Sequence, residues 1–165
     1  KILFEGAQGF GLDIDWGDYP FVTSSHCTVG GAILNGVPPQ SIRDVWGVAK
    51  IYETYVGAKD FEGIDPEFDL IRDIGEEYGA TTGRPRQINW MDIDLLERAS
   101  KINGVTKLVI NKVDVLEQIE TFKLFHGFDM IQFENAGSMY DYIETHLGEV
   151  RPGINVLFSG NKEII

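Results

Sequence analysis

The chain has 165 residues, 43% of them hydrophobic and 24% charged, which is enough for one domain with a hydrophobic core. Its formal net charge of −12 argues against binding of nucleic acid or of an anionic membrane by the chain as a whole. The single cysteine, Cys27, excludes an intrachain disulfide and favours a cytoplasmic protein, and no apolar run has the roughly 20 residues of a membrane span.

The first residues predict a strand and a ligand-binding turn. Residues 2–4 predict a short buried strand that leads into a glycine-rich turn at 5–11, and α/β proteins bind ligands at such positions. Because the chain enters this strand directly from Lys1, without a methionine, we expect a piece of a longer protein. The Gln8 amide suits an amide or purine edge, or alternatively a hydrogen bond to the loop backbone.

A long irregular segment, residues 12–25, follows this turn. Its aspartates at 13, 15 and 18 match no calcium-loop pattern, so we expect them to be solvated or paired with arginines. Its three hydroxyl residues, at 23–25, either contact phosphate or cap a helix. His26 and Cys27 lack the second pair of ligands that a zinc site needs, and we expect no metal there.

The middle of the chain predicts helices around one strand. We expect a short helix over 41–45, a strand over 48–56, and helices over 65–79 and 92–104. The helix opened by Asp65 carries an apolar stripe and has Gly79 as its natural stop. That stripe consists of Phe68, Ile71, Ile74 and Tyr78.

The loop at residues 79–86 joins two glycines, two threonines and two arginines. Glycine lets a backbone lie close to a ligand, and backbone N–H groups with threonine hydroxyls bind carboxylate or phosphate oxygens. Arginine adds a planar fork that binds the same groups bidentately. We interpret the loop as a site for a small acidic substrate. The alternative is a helix C-cap at Gly79 followed by a surface turn.

Residues 107–110 predict a strand that is buried on both faces, and Asn111-Lys112-Val113-Asp114 follows it directly. The Asp114 carboxylate can accept hydrogen bonds from the two adjacent N–H donors of guanine, which adenine lacks, while the Lys112 stem lies across the ring. The alternative is a solvated strand exit with a local Lys–Asp pair.

The remainder predicts strands over 122–125 and 130–133, a helix over 137–147 and a last strand over 154–158. His126 and His146 have no evident partners in the sequence, and we interpret both as structural. The alternation of strands and helices predicts an α/β sheet covered by helices.

Six segments of the sequence are informative when they are considered together. They are Phe-Glu-Gly-Ala-Gln-Gly at 4–9, Leu-Asp-Ile-Asp at 12–15, Tyr-Pro-Phe-Val-Thr-Ser-Ser at 19–25, Val-Gly-Ala at 56–58, the loop at 79–86, and Asn-Lys-Val-Asp-Val-Leu at 111–116. In order and spacing they resemble the carboxyl-terminal half of the adenylosuccinate synthetase family. The resemblance implies a mostly parallel central sheet flanked by helices, a P-loop-NTPase-like synthetase fold that is incomplete at the N-terminus. Residues 1–165 would form the carboxyl-terminal part of a single domain.

The resemblance also implies a ligase of purine biosynthesis that is a cytoplasmic homodimer. The GTP γ-phosphoryl group would pass to the 6-oxygen of IMP, and the L-aspartate amine would then displace it. The phosphate loop, the catalytic residues and the Mg²⁺ ligands would lie in the amino-terminal half, so we expect these 165 residues alone to be inactive. Two alternatives stay open: a phage-type enzyme that acts on dGMP, and a non-catalytic purine-nucleotide-binding module.

Site residues follow from the same resemblance, position by position. IMP would be bound by Gln8, Leu12, Thr23, Val56 and Arg84. Aspartate would be bound by Thr81, Thr82, Arg84 and Arg86, and GTP by Arg86, Lys112, Asp114 and Gly160. The sequence departs from the family pattern at Tyr55, 59–62, Pro85, Phe158 and Asn161, and the preference for GTP over ATP stays open.

Overall fold

The computed structural model describes residues 2–81 and 83–160, which contain seven strands and five α-helices. The strands are β1 (Trp46–Lys50), β2 (Tyr52–Tyr55), β3 (Gln87–Asp92), β4 (Lys107–Asn111), β5 (Phe122–His126), β6 (Asp129–Phe133) and β7 (Asn155–Ser159). The helices are α1 (Gly30–Leu34), α2 (Glu67–Ile74), α3 (Ile93–Asn103), α4 (Val113–Ile119) and α5 (Ala136–Val150), with 3-10 turns at Phe10–Leu12 and Pro39–Ser41. None of these helices is long and apolar enough to cross a membrane.

The strands form two sheets. β1, β4 and β7 form a parallel sheet with β4 in the centre, and β2, β3, β5 and β6 form a mixed sheet in which β3 and β5 are parallel. The predicted α/β fold, a parallel sheet flanked by helices, is confirmed. In the parallel sheet Lys50 pairs with Asn111, and Asn111 pairs with Ser159. The carboxyl ends of all three strands therefore meet at one edge, where this class of sheet binds ligands.

The two sheets share one hydrophobic core. The chain passes from β1 to β2 at Ile51, which is fully buried and whose N–H donates to the carbonyl of Asn111 at 3.0 Å. Ile71 of α2 and Ile88 of β3 are also fully buried in this core, as is Leu124 of β5. The predicted strand over 48–56 is thus two strands of different sheets, because the chain turns at Ile51.

Helix α3 begins and ends where its sequence predicts. The Asp92 side chain caps it by accepting hydrogen bonds from the N–H groups of Asp94 and Leu95 at 3.0 and 3.1 Å. Gly104 ends it with φ of 61°, a left-handed conformation that glycine adopts without strain. Helix α5 is also confirmed, and Asn135 with Ser138 forms a capping box at its start.

The predicted helix over 65–79 is too long. Helix α2 ends at Ile74 with Gly75 as its C-cap. A Cβ atom on residue 75 would lie 2.4 Å from the Tyr52 hydroxyl, so this position needs glycine for close packing. Beyond it, Tyr78 pairs with Pro85 in an antiparallel bridge and is 40% exposed, which removes it from the predicted apolar stripe.

Three other local predictions are wrong. Residues 2–4 form no strand, and Ile2 and Leu3 are 83% and 87% exposed, because no described strand pairs with them. The helix expected over 41–45 is absent: the structure has a 3-10 turn at Pro39–Ser41, and the chain becomes extended at Ile42, with φ of −80° and ψ of 116°. In β4 only Leu108 and Ile110 are fully buried, so one face is better covered than the other.

Three elements are missing from the prediction, and the first is α1 at Gly30–Leu34, which lies where a turn is expected. Residues 87–92 form β3 instead of a lead into α3, because Ile88 and Trp90 alternate into the core between β2 and β5. Helix α4 follows β4 directly, with Lys112 in the left-handed conformation as its N-cap. The predicted strands β5, β6 and β7 are confirmed to within one or two residues at their ends.

Candidate functional site

The Asn-Lys-x-Asp segment lies at the carboxyl edge of the parallel sheet, where β4 passes into α4. Lys112 has φ of 64° and its Nζ donates to the carbonyl of Gly75 at 3.0 Å. This contact ties the lysine stem to the end of α2 and holds it along the edge. The alternative, a local Lys–Asp pair at a solvated strand exit, is wrong, because Lys112 bonds Gly75 and Asp114 is partly buried.

Asp114 is held beside Gly160, which follows β7. A Cβ atom on residue 160 would lie 3.1 Å from the Asp114 Cβ and 3.4 Å from its Cγ, so a side chain there would press on the carboxylate. Asp114 Oδ1 is buried and has no hydrogen-bond partner within residues 2–81 and 83–160, and the same holds for Asn111 Oδ1. Two polar side-chain oxygens at one sheet edge are thus left for a ligand or solvent.

The loop after α2 forms a tight hairpin-like turn. The Gly79 N–H donates to the carbonyl of Arg84, and the Gly83 N–H donates to the carbonyl of Gly79, both at 2.8 Å. Gly83 has φ of 62°, which few residues other than glycine adopt. Thr81 and Arg84 are exposed at the tip, and Thr82 lies outside the described residues. The alternative of a helix C-cap at Gly79 is wrong, because α2 has already ended at Ile74.

The base of this loop is fixed by Glu77, a carboxylate that is only 2% exposed. It accepts hydrogen bonds from Lys50 Nζ at 2.7 Å, the Tyr52 hydroxyl at 2.8 Å and an Arg86 guanidinium nitrogen at 2.9 Å. Burial raises the pKa of Glu77, but the bonds from Lys50 and Tyr52 and the charges of Lys50 and Arg86 outweigh it and lower the pKa. The carboxylate therefore stays charged and holds Arg86 in place.

Val56 and Arg84 line a common cavity of about 390 Å³. Its other lining residues are Tyr55, Gly57, Ala58, Pro85 and Gln87. The Gln87 amide donates to the carbonyl of Lys59 at 2.8 Å and its oxygen accepts from the N–H of Phe61 at 2.9 Å, which fixes the wall of the cavity. The structure thus brings together two of the residues predicted to bind one nucleotide.

The segment from Phe10 to Thr28 is organised around the Asp13 carboxylate, which is fully buried. Its two oxygens accept hydrogen bonds from four backbone N–H groups, those of Asp15, Trp16, Cys27 and Thr28. Burial raises the pKa of Asp13, and these bonds lower it by more. The expectation that the three aspartates are solvated or pair with arginines is therefore wrong for Asp13.

The two other aspartates of this segment pair with residues that the sequence did not indicate. Asp15 lies 3.1 Å from His26 Nδ1, and Asp18 lies 2.5 Å from Lys59 Nζ. The Asp18–Lys59 pair joins the segment to the cavity wall that carries Val56. The hydroxyls at 23–25 cap no described helix, because α1 has Val29 as its N-cap.

Of the three residues near the start of the chain that are predicted to bind IMP, the structure brings two together. The Thr23 N–H donates to the carbonyl of Leu12 at 2.8 Å, so these two lie side by side. Gln8 is exposed, with φ of 69°, and no described contact joins it to Leu12 or Val56.

Three further polar side chains were missed or misjudged. Glu53 lines a second cavity of about 300 Å³ with Asn89 and Asp92, and burial followed by the nearby Asp92 charge raises the pKa of Glu53 to about 7. A glutamate inside a predicted strand gives no such signal.

The expectation that His126 and His146 lack partners is wrong. The Tyr142 hydroxyl lies 2.6 Å from His126 Nδ1, and Glu97 Oε2 lies 2.9 Å from His146 Nε2.

A parallel sheet with glycine-rich and charged loops at its carboxyl edge places the molecule among α/β proteins that bind ligands there. The sequence model of one family, described as adenylosuccinate synthetase, matches residues 1–159. A curated adenylosuccinate synthetase from Syntrophomonas wolfei is 45% identical over 161 residues, covering 93% of this chain and 38% of the relative. Another, from Stenotrophomonas maltophilia, is 50% identical over 145 residues, covering 86% and 33%.

Two solved structures share the fold. Fully ligated adenylosuccinate synthetase from Plasmodium falciparum has a TM-score of 0.77 at 28% identity, over 93% of this chain and 46% of that one. Succinoaminodeoxyadenylate synthetase of cyanophage S-2L, bound to dGMP and dATP, has a TM-score of 0.59 at 21% identity, over 93% and 41%, and that likeness concerns the fold alone. The chain belongs to the adenylosuccinate synthetase family, and it spans less than half the length of these relatives.

Proposed function

We propose that this chain supplies the base-reading and acid-binding half of an adenylosuccinate synthetase, a ligase that joins L-aspartate to IMP with GTP as co-substrate. The observation that carries the proposal is the sheet edge at Asp114, where a buried carboxylate oxygen without a described partner lies beside Gly160, a position at which a side chain would be tightly packed. Leaving such an oxygen unpaired costs roughly 1–3 kcal/mol, and a ligand that donates two N–H groups removes that cost.

Guanine is the ligand that fits this edge. Asp114 accepts from the ring N1–H and the exocyclic amine, and adenine cannot supply that pair. The Lys112 stem, tied to Gly75, lies across one face of the base. Gly160 leaves room for the base beside the carboxylate. The preference for GTP over ATP is therefore part of the proposal.

The acid-binding half of the site is the loop after α2. Arg84, with Thr81 and Thr82, binds the two carboxylates of L-aspartate, and Arg86 reaches toward the nucleotides from its anchor on Glu77. Arg84 also lines the cavity with Val56, which supports a position for IMP between this loop and residues 56–58. Gln8, Leu12 and Thr23 complete the IMP site in this proposal. These side chains bind and orient the reactants, which is the main protein contribution to phosphoryl transfer.

Magnesium is expected with GTP, yet the acidic cluster described here does not fit it. Mg²⁺ binds carboxylate oxygens and water, but both oxygens of Asp13 accept backbone N–H groups and Asp15 pairs with His26. No step of the proposed reaction is therefore assigned to Mg²⁺ on these residues. A cytoplasmic homodimer is proposed by analogy with the family alone.

The test is turnover by the complete product of the encoding gene, with the 165-residue chain assayed beside it. Aspartate, GTP and Mg²⁺ are supplied with IMP or dGMP in parallel, and GDP and the succinyl product are measured. We expect the complete product to consume IMP and the 165-residue chain to be inactive. Consumption of dGMP alone would make the protein a phage-type enzyme. GTP binding without turnover of either substrate would leave a non-catalytic binding module and refute the ligase.

A matched pair of variants tests the acid loop in the same assay. Arg84→Lys keeps the positive charge but loses the planar fork, and we expect the KM for aspartate to rise about tenfold or more. Arg43→Lys makes the same change at an exposed arginine outside the loops and should leave the KM unchanged. Equal KM values for the two variants would remove Arg84 from the aspartate site.

A further inference from the structure

Two histidines and an aspartate from three elements meet on the side of the molecule where α3 and α5 pack on β5. His126 ends β5, His146 lies in α5, and Asp94 lies in the first turn of α3. Their ligand-type atoms, one from each side chain, all lie within 4.8 Å of one another. All three residues are partly buried, and none belongs to the loops assigned to IMP, aspartate or GTP.

In His126 and Asp94, one polar atom of the side chain has a hydrogen-bond partner and the other faces the second residue of the pair. His126 Nδ1 lies 2.6 Å from the Tyr142 hydroxyl, and Asp94 Oδ2 accepts a hydrogen bond from the Gly127 N–H at 2.6 Å. The remaining atoms, His126 Nε2 and Asp94 Oδ1, face each other at 3.7 Å, which is too long for a hydrogen bond. Two ligands of one tetrahedral Zn²⁺ ion, each about 2.0–2.1 Å from the metal, lie about 3.3 Å apart.

The second imidazole, that of His146, also has a carboxylate partner outside the cluster. His146 Nε2 lies 2.9 Å from Glu97 Oε2, and the His146 ring meets that of His126 edge-on with centroids 4.9 Å apart. Tyr142 stacks on His146 with an interplanar angle of 14° while its hydroxyl contacts His126. Outer hydrogen bonds from a hydroxyl, a carboxylate and a backbone N–H are the supports that metal-binding imidazoles and carboxylates commonly have.

We propose that Asp94, His126 and His146 form a binding site for one divalent transition-metal ion of the zinc type. Two imidazole nitrogens and one carboxylate oxygen are a donor set that Zn²⁺ binds well, whereas Mg²⁺ prefers oxygen ligands throughout. The bound ion would join α3, β5 and α5 and leave a fourth position for water. Because none of the three residues belongs to the loops assigned to IMP, aspartate or GTP, the ion adds stability rather than chemistry to the domain.

The experiment is calorimetric titration of the full chain with ZnCl₂ after treatment with a chelator and its removal. We expect one saturable site, and we expect His126→Gln and His146→Gln each to weaken binding at least about tenfold. His26→Gln is the matched control, because His26 is the histidine of the other His–Asp cluster, where Asp13 has both oxygens occupied. It should bind Zn²⁺ as the unchanged chain does.

Tyr142→Phe keeps the aromatic packing and removes only the hydroxyl that holds His126 Nδ1. We expect it to fold normally and to weaken Zn²⁺ binding roughly 10-fold, which a general loss of structure would not explain. Zn²⁺ should also raise the Tm of the unchanged chain and of His26→Gln, but not that of His126→Gln. Absence of a saturable Zn²⁺ site, or equal binding by all four variants, would overturn the proposal.

Discussion

Asp114 differs from an ordinary surface aspartate in its surroundings. One of its oxygens is buried without a described partner, and Gly160 lies beside it, so that a Cβ atom there would be 3.5 Å from Asp114 Oδ1. A buried acceptor that folding leaves unpaired is costly, so a ligand or solvent has to supply the missing donors, and guanine is the ligand that we propose. This environment makes the guanine assignment testable with a single atom change.

Asp114→Asn replaces one carboxylate oxygen by an amide that donates. We expect the complete enzyme to lose affinity for GTP, because the amide cannot accept from both guanine donors, and the loss should be roughly tenfold or more. Xanthosine triphosphate has a carbonyl in place of the exocyclic amine, so it should restore turnover by this variant. The measurement is the KM for GTP and for xanthosine triphosphate with each enzyme. If Asp114→Asn still preferred GTP as the unchanged enzyme does, Asp114 would not contact the base.

A second single residue, Glu53, should make the stability of the chain depend on pH. Burial, and then the Asp92 charge, raises the pKa of Glu53 from its usual 4.5 to about 7. In the folded chain the carboxyl therefore keeps its proton between these values while the unfolded chain has lost it. The folded state binds more protons in that interval, so the stabilising contribution of Glu53 is present below pH 4.5 and lost as pH rises through about 7.

Glu53→Gln should remove that dependence. The free energy of unfolding of the unchanged chain should fall relative to the variant between pH 4.5 and 7, by roughly 3 kcal/mol at most. Urea denaturation at several pH values measures the difference, and above pH 7 it should become constant. Two curves that stay parallel over the whole range would show that Glu53 titrates near its usual pKa.

At the scale of elements, α3 shows how a short signal sets both ends of a helix. Asp92 caps the first turn through two backbone N–H groups, and Gly104 ends the helix in a left-handed conformation. The same aspartate ends β3, so one residue stops a strand and starts a helix. Since α3 carries Asp94 and Glu97, its start also positions side chains of the proposed zinc site.

Asp92→Ala should lower the free energy of unfolding by about 1 kcal/mol, because it leaves two N–H groups of α3 without their acceptor. Asp92→Asn keeps a capping oxygen and removes only the charge, so its stability should stay close to that of the unchanged chain. Chemical denaturation of the three proteins at one pH separates the cap from the charge. If the two variants were equally unstable, the charge rather than the cap would be responsible.

At the scale of the whole molecule, Glu77 joins the two sheets to the loop at 79–86. Its partners are Lys50 at the end of β1, Tyr52 at the start of β2 and Arg86 before β3. Because a buried charge is tolerated only when it is paired and hydrogen-bonded, these four side chains must be placed together. The geometry of the loop at 79–86 is therefore tied to the packing of both sheets.

The elements that the sequence predicts well are those with local signals. Helix α3 has a cap and a stop, β4 is an apolar run before Asn111, and β5 to β7 are bounded by turns. The loops at 79–86 and 111–114 also have local signals, because glycine, arginine and the Asn-Lys-x-Asp order act through backbone freedom and side-chain chemistry. Whether each residue has its predicted role stays a prediction.

Sequence by itself determined the α/β class, most helices and strands, and which loops combine glycine with polar and charged side chains. Only the tertiary structure decided that the strand over 48–56 divides between two sheets at Ile51, that Trp90 lies in a strand, and that Asp13 is fully buried. It also decided that His126 and His146 meet. These features depend on contacts between residues far apart in the chain, and a local pattern carries no information about such partners.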